Sequence, residues 1–120
     1  MNKLYRLAAL LPVLLLISCG DDPDPLVWGD LAMPLAEVHC ARAAECFSLE
    51  PTETAVCVRH DYSHLCELDS LCGVRVDATA MDLVGPCVDD MAVLPCFNLF
   101  YGILPASCSD LLAVRPDDAR

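Results

Sequence analysis

Residues 34–47 read PLAEVHCARAAECF. Ala, Leu and Glu are strong helix formers and dominate the run. Pro34 suits a first helical turn, and Leu35, Val38, Ala41 and Ala44 to Cys46 supply an apolar side. The stretch predicts a helix ending at Phe47. On that helix Cys40 and Cys46 lie about 9 Å apart along the axis and point in different directions. A disulfide needs Cα atoms within about 7 Å, so the two do not pair with each other. Each needs a partner elsewhere, and the cysteines become connectors between helices.

The chain holds nine cysteines in 120 residues, a usage that belongs to an oxidising compartment. Cys19 stands apart near the start. The other eight are Cys40, Cys46, Cys57, Cys66, Cys72, Cys87, Cys96 and Cys108. An even set in such a compartment predicts four disulfides. No two of the eight lie closer than six positions, so the close pairs of structural zinc sites are missing. The C-x-x-C of redox motifs and the C-x-x-C-H of haem attachment are missing too. Spacing cannot select one connectivity, although helix geometry also argues against Cys57 with Cys66. Gly102 and Pro105 can reverse the chain between Cys96 and Cys108, which makes that pair the expected bond.

Further helices follow from local signals. One begins near Pro51, with Thr52 as N-cap and Glu53 in the first turn, and runs to Cys66 or Cys72 before Gly73 stops it. Another starts after Asp77, and Met81, Val84, Val88, Met91 and Leu94 recur along it every three or four residues. Gly85-Pro86 is expected to kink or divide it. Residues 97–104 are nearly all apolar, and 105–114 form a last short helix. Alternation of the strand type is nowhere sustained. The fold class is therefore all-α, a small disulfide-stapled helical bundle over residues 31–114, with 115–120 as a flexible tail. At 120 residues the chain excludes separate cofactor and substrate lobes. Seven Lys and Arg against eighteen Asp and Glu exclude a nucleic-acid partner, because no basic stripe exists to neutralise phosphates.

The N-terminus reads as a targeting segment. Lys3 and Arg6 precede an apolar run from Leu7 to Ile17, too short for the about 20 residues of a membrane span. It ends in Leu16-Ile17-Ser18-Cys19-Gly20, which resembles the lipobox of bacterial lipoproteins. That resemblance implies a signal peptide over residues 1–18, cleavage before Cys19, and a lipid on the Cys19 thiol. Gly20, where the enterobacterial sorting pattern would place Asp to retain a protein at the inner membrane, implies the outer membrane of a Gram-negative bacterium. Loss of Lys3 and Arg6 leaves five basic residues against eighteen acidic ones. Such a body gains nothing from anionic head groups, so the lipid is its membrane contact, stabilised by about 0.8 kcal/mol per buried methylene. Residues 19–30, with Asp21, Asp22, Pro23, Asp24 and Pro25, read as an acidic, extended tether.

Three patterns carry a second resemblance: His39-Cys40-Ala-Arg-Ala-Ala-Glu-Cys46, Asp77-Ala-Thr-Ala with Cys87-Val-Asp-Asp, and Cys96 with Leu104-Pro105-Ala-Ser-Cys108. Together they resemble the small cysteine-rich lipoproteins of myxobacteria and related Gram-negative bacteria. The resemblance covers residues 40–110 and implies a lipid-anchored helical domain with no activity to carry over. Gly85-Pro86 departs from the more uniform helix of that group.

Candidate chemistry is sparse. His60 and His64, four apart, share a helix face and are the candidate metal pair, with Cys57 three residues before His60; no Glu adjoins His60 as in H-E-x-x-H. Ser63, Ser107 and Ser109 lack a nucleophile elbow. Asp89-Asp90 and Asp117-Asp118 are adjacent and point apart on a helix. No cofactor and no catalytic residue is expected. Phe97, Phe100 and Tyr101 have two readings: core packed on the third helix, or an exposed patch that takes a partner or a lipid. The expected function is a non-catalytic structural or interaction role in the cell envelope, with an unnamed envelope protein as partner. The alternatives are a small-ligand or lipid carrier using residues 97–104, and a metal protein or enzyme centred on His60 and His64.

Overall fold

The computed structural model describes residues 26–116. The expected signal peptide over residues 1–18, Cys19, residues 19–25 of the expected tether and residues 117–120, with Asp117 and Asp118, lie outside the described residues. The chain forms α1 (Trp28–Phe47), α2 (Pro51–Tyr62), a π-helical turn (Ser63–Glu67), α3 (Ala78–Ala92), α4 (Cys96–Phe100) and α5 (Ala106–Ala113). Among the described residues the only extended pairing is an isolated bridge between Val27 and Arg75. The all-α class holds.

α1 starts well before Pro34. Val27 N–H donates to Asp30 Oδ2 at 3.0 Å, which ties the first turn. Trp28 N–H reaches Val74 O at 2.7 Å and Gly29 N–H reaches Cys72 O at 2.9 Å, so the loop before α3 satisfies donors that a helix start leaves open. Gly29 is needed there, because a Cβ would lie 2.9 Å from the Cys72 carbonyl oxygen. Residues 28–30, expected in the tether, therefore belong to the bundle, and Trp28 is completely buried. The helix ends at Phe47, as expected, on Ser48 in the left-handed region (φ 54°).

α2 is capped two positions earlier than Thr52 implied. Glu50 is the N-cap residue and Pro51 opens the helix, while Glu50 N–H donates to Glu53 Oε2 at 2.8 Å. The helix then widens: Leu68 N–H bonds Ser63 O at 3.0 Å, a five-residue step. α3 is capped by Asp77, whose Oδ1 accepts from Ala80 N–H at 2.9 Å. Gly85-Pro86 does not divide α3, which is unbroken from 78 to 92. Both residues are exposed, so water can satisfy the carbonyl that loses its donor.

α1 packs on α2 and α3, and α3 packs on α5. Trp28, Leu31, Leu35, Leu71, Met91 and Leu111 form the centre of the core. Trp28 Nε1–H donates to Leu65 O at 2.8 Å, a carbonyl on the π-helical turn. The same turn receives Arg115, whose Nη2 pairs with Asp69 Oδ2 at 2.9 Å. Arg115 thus belongs to the folded body rather than to a tail starting at 115.

All eight cysteines from Cys40 to Cys108 are paired. Cys40–Cys57 joins α1 to α2, Cys46–Cys96 joins α1 to α4, Cys66–Cys72 closes a local loop, and Cys87–Cys108 joins α3 to α5. Neither Cys40 with Cys46 nor Cys57 with Cys66 is bonded, as helix geometry required. The expected Cys96–Cys108 bond is not formed. Gly102 does turn the chain, with φ 68°, but the turn seats Cys108 in the core beneath Cys87 while Cys96 stays exposed opposite the end of α1.

Candidate functional site

Two features could carry function: a cavity inside the bundle and an aromatic face outside it. The cavity measures about 210 Å³ and lies between α1, α2, α3 and α5. Leu35, Leu65, Met91, Leu104 and Leu112 give it apolar walls, and the Cys87–Cys108 disulfide borders it. His39, Asp61 and His64 are its polar wall.

His39 and Asp61 are 22 residues apart and meet because α1 and α2 pack antiparallel beside the Cys40–Cys57 disulfide. His39 Nδ1 lies 2.5 Å from Asp61 Oδ2, with both side chains half-buried. The hydrogen bond to Asp61 raises the His39 pKa; burial opposes it, and the carboxylate charge adds to it. Burial pushes the Asp61 carboxyl up, but its hydrogen bond with His39 and the charges of His39 and His60 prevail and hold it below the ordinary carboxylate range. The two shifts are reciprocal, since each group's charged form favours the charged form of the other.

His60 and His64 do share a face, as their spacing predicted, with ring centroids 4.4 Å apart and planes tilted by 52°. His60 Nδ1 lies 3.6 Å from Asp61 Oδ1. Cys57 does not join them. It lies instead with His39, Cys40 and Asp61, whose ligand atoms all fall within 4.8 Å of one another. Two of those four atoms are disulfide sulfurs, and metal ligation requires thiolate. The oxidised chain therefore offers only His39 and Asp61 there, already engaged with each other.

The aromatic face is α4. Phe97, Phe100 and Tyr101 are 66%, 69% and 62% exposed, so the core reading of these residues is corrected. A helix of five residues meets the bundle only at the end of α1 and cannot turn three large rings inward. The rings contact one another instead: Phe97 and Tyr101 are 4.6 Å apart, Phe100 and Tyr101 5.1 Å, and Phe47 of α1 extends the cluster 6.4 Å from Phe100. Val93 and Ile103 flank it, also exposed.

Ser107 Oγ donates to Asp90 Oδ2 at 2.6 Å on the surface. Asp61 was passed over in the sequence as the residue between two histidines, and His39 as part of a cysteine pattern. The signal that could have found them is the helix phase, since each is adjacent to, or one turn from, a cysteine of the same disulfide. Among the described residues no helix is long and apolar enough to cross a membrane. Comparison with protein-family models, curated proteins and solved structures finds no match to this chain.

Proposed function

We propose that the chain is a lipid-anchored protein of the Gram-negative cell envelope, held at the outer membrane through Cys19, that acts without catalysis by docking another envelope protein on α4. The exposed aromatic cluster of Phe97, Phe100, Tyr101 and Phe47 carries this reading. Contiguous exposed aromatics on a small domain mark interaction surfaces, and rings of this kind anchor interfaces by filling apolar pockets. The body beyond Cys19 has five basic against eighteen acidic residues. Like charge disfavours a second copy of the chain, so the fitting partner is a different protein, with an apolar pocket rimmed by Lys and Arg. Glu45 and Glu50, both exposed and near Phe47 in the sequence, add acidic charge at that end of α1, Glu45 in an ion pair with Arg42 at 2.6 Å. The Leu16 to Gly20 pattern supports the anchor, and the four disulfides suit an exported chain.

A photoreactive phenylalanine analogue at position 100 of the full lipidated chain tests the docking face in living cells. The expected product is one heteromeric adduct that disappears when Phe97 and Tyr101 become Ser and whose uncrosslinked complex weakens with salt. Adducts only between copies of the chain, no adduct, or the same adduct from exposed Glu53 would contradict it. Cys19→Ser tests the anchor separately. It is expected to leave the chain unprocessed or released, and a mature, membrane-held variant would refute lipidation at that position.

A further inference from the structure

The cavity is independent of the α4 face, and the proposed docking does not use it. We propose that it is a binding site for a short, uncharged amphiphile, an apolar body of about six to eight carbons bearing one hydroxyl group. Three observations carry this. The first is size: an apolar protein cavity of about 150 Å³ takes one benzene ring, and this one measures about 210 Å³. The second is chemistry. Its walls are leucine, methionine and a disulfide, and the His39–Asp61 pair with His64 is a small polar patch on an otherwise apolar lining. Small-molecule sites combine an apolar lining with a few placed polar groups in this way.

The third is charge and hydrogen-bond accounting. Asp61 Oδ2 is taken by His39 Nδ1 at 2.5 Å, and Oδ1 faces His60 Nδ1 at 3.6 Å. His39 is thus left with Nε2, which donates when the ring is protonated and accepts when it is neutral. A hydroxyl meets Nε2 in either state, because it both donates and accepts. An anionic ligand would meet the Asp61 carboxylate beside His39, within a body carrying thirteen more acidic than basic residues beyond Cys19. A cation would compete with His39 for the Asp61 carboxylate. An uncharged oxygen on an apolar body fits both constraints. Leu104, more exposed than the other apolar wall residues, stands at the mouth.

Methyl-resolved NMR titration of the purified native chain with 1-hexanol, hexanoate and hexane tests the assignment. Hexanol is expected to shift the methyls of Leu35, Leu65, Met91 and Leu112 saturably and together with the His39 ring resonances. Loss of one hydrogen bond predicts about fivefold weaker hexanol binding in His39→Gln, with hexane unaffected. Leu104→Trp, which closes the mouth from a surface position, is expected to abolish the shifts while the four disulfides and the melting temperature persist. The wild-type titration needs no variant to fold, so it stands alone. Several results would overturn the proposal: no saturable shift with hexanol, tighter binding of hexanoate than of hexanol, or equal affinity for hexane and hexanol. Shifts that survive Leu104→Trp or fall only on α4 would overturn it as well.

Discussion

Trp28 and Phe100 are both large aromatic side chains on helices, yet Trp28 is fully buried and Phe100 is 69% exposed. The difference lies in what converges on each. At Trp28, α1 begins inside a collar made by the π-helical turn and the loop around the Cys66–Cys72 disulfide, whose carbonyls at Leu65, Cys72 and Val74 accept from Trp28 and Gly29. The indole has a carbonyl within reach, and its ring fills space that several elements enclose. At Phe100 a single short helix meets the end of α1 and nothing covers its other side. The first region is held by packing. The second is held by a covalent link, Cys46–Cys96, next to rings that stack mainly on each other. Burial thus follows the number of elements that can close over a side chain rather than its hydrophobicity.

That contrast predicts a graded series of responses to mutation. Trp28→Ala should be the most damaging, because it opens a cavity in the core and removes the hydrogen bond to Leu65 O. A loss of about 3–5 kcal/mol is expected, measurable by urea denaturation, and a loss under about 1 kcal/mol would mean that the collar does not depend on Trp28. Replacing Cys46 and Cys96 together by Ser comes next. Their bond closes a loop with a sequence separation of 50, which by loop entropy contributes about 4 kcal/mol at most and typically 2–4. Little packing is lost with it, since Cys96 is exposed.

The His39–Asp61 pair should give a smaller, pH-dependent effect. His39 has a raised pKa, so its contribution is complete below its unfolded value of about 6.5 and fades as pH rises through the folded value. Asp61 has a lowered pKa, so its contribution is present above about 3.9 and is lost as pH falls through the folded value. Denaturation of wild type and His39→Gln at several pH values should show the largest gap in the mildly acidic range between those limits and a narrowing gap on the alkaline side. A gap that widens with rising pH would contradict the pairing. The smallest effect belongs to the exposed face: Phe97→Ser, Phe100→Ser and Tyr101→Ser should each change stability by less than about 0.5 kcal/mol in thermal melts.

Local signals were legible in the sequence wherever they decide structure locally. Asp77 caps α3, Phe47 ends α1, and the even cysteine set is fully paired. Helix geometry excluded two pairings correctly because that constraint is also local. Trp28 was not legible: its burial depends on Gly29 allowing the Cys72 carbonyl to approach, a contact 43 positions away that no periodicity reports. The partners of Cys96 and Cys108 depend on which layer the reversal at Gly102 delivers each of them to. The apolar run at 97–104 carried the wrong sign under a core reading, since amino-acid type alone does not say whether a second element arrives to cover it. His39 and Asp61 become a pair only through the packing of α1 on α2.

Hydroxyl-radical footprinting of the purified native chain, read by peptide mass spectrometry, tests the contrast between the two regions most directly. Trp28 is intrinsically among the most reactive side chains, yet it is expected to be strongly protected until the chain is denatured. Phe97, Phe100 and Tyr101 are expected to be modified in the native chain nearly as fast as in the denatured one. Protection of all three rings to the level of Trp28, or native modification of Trp28 at its denatured rate, would contradict a closed end and an open end in the same bundle.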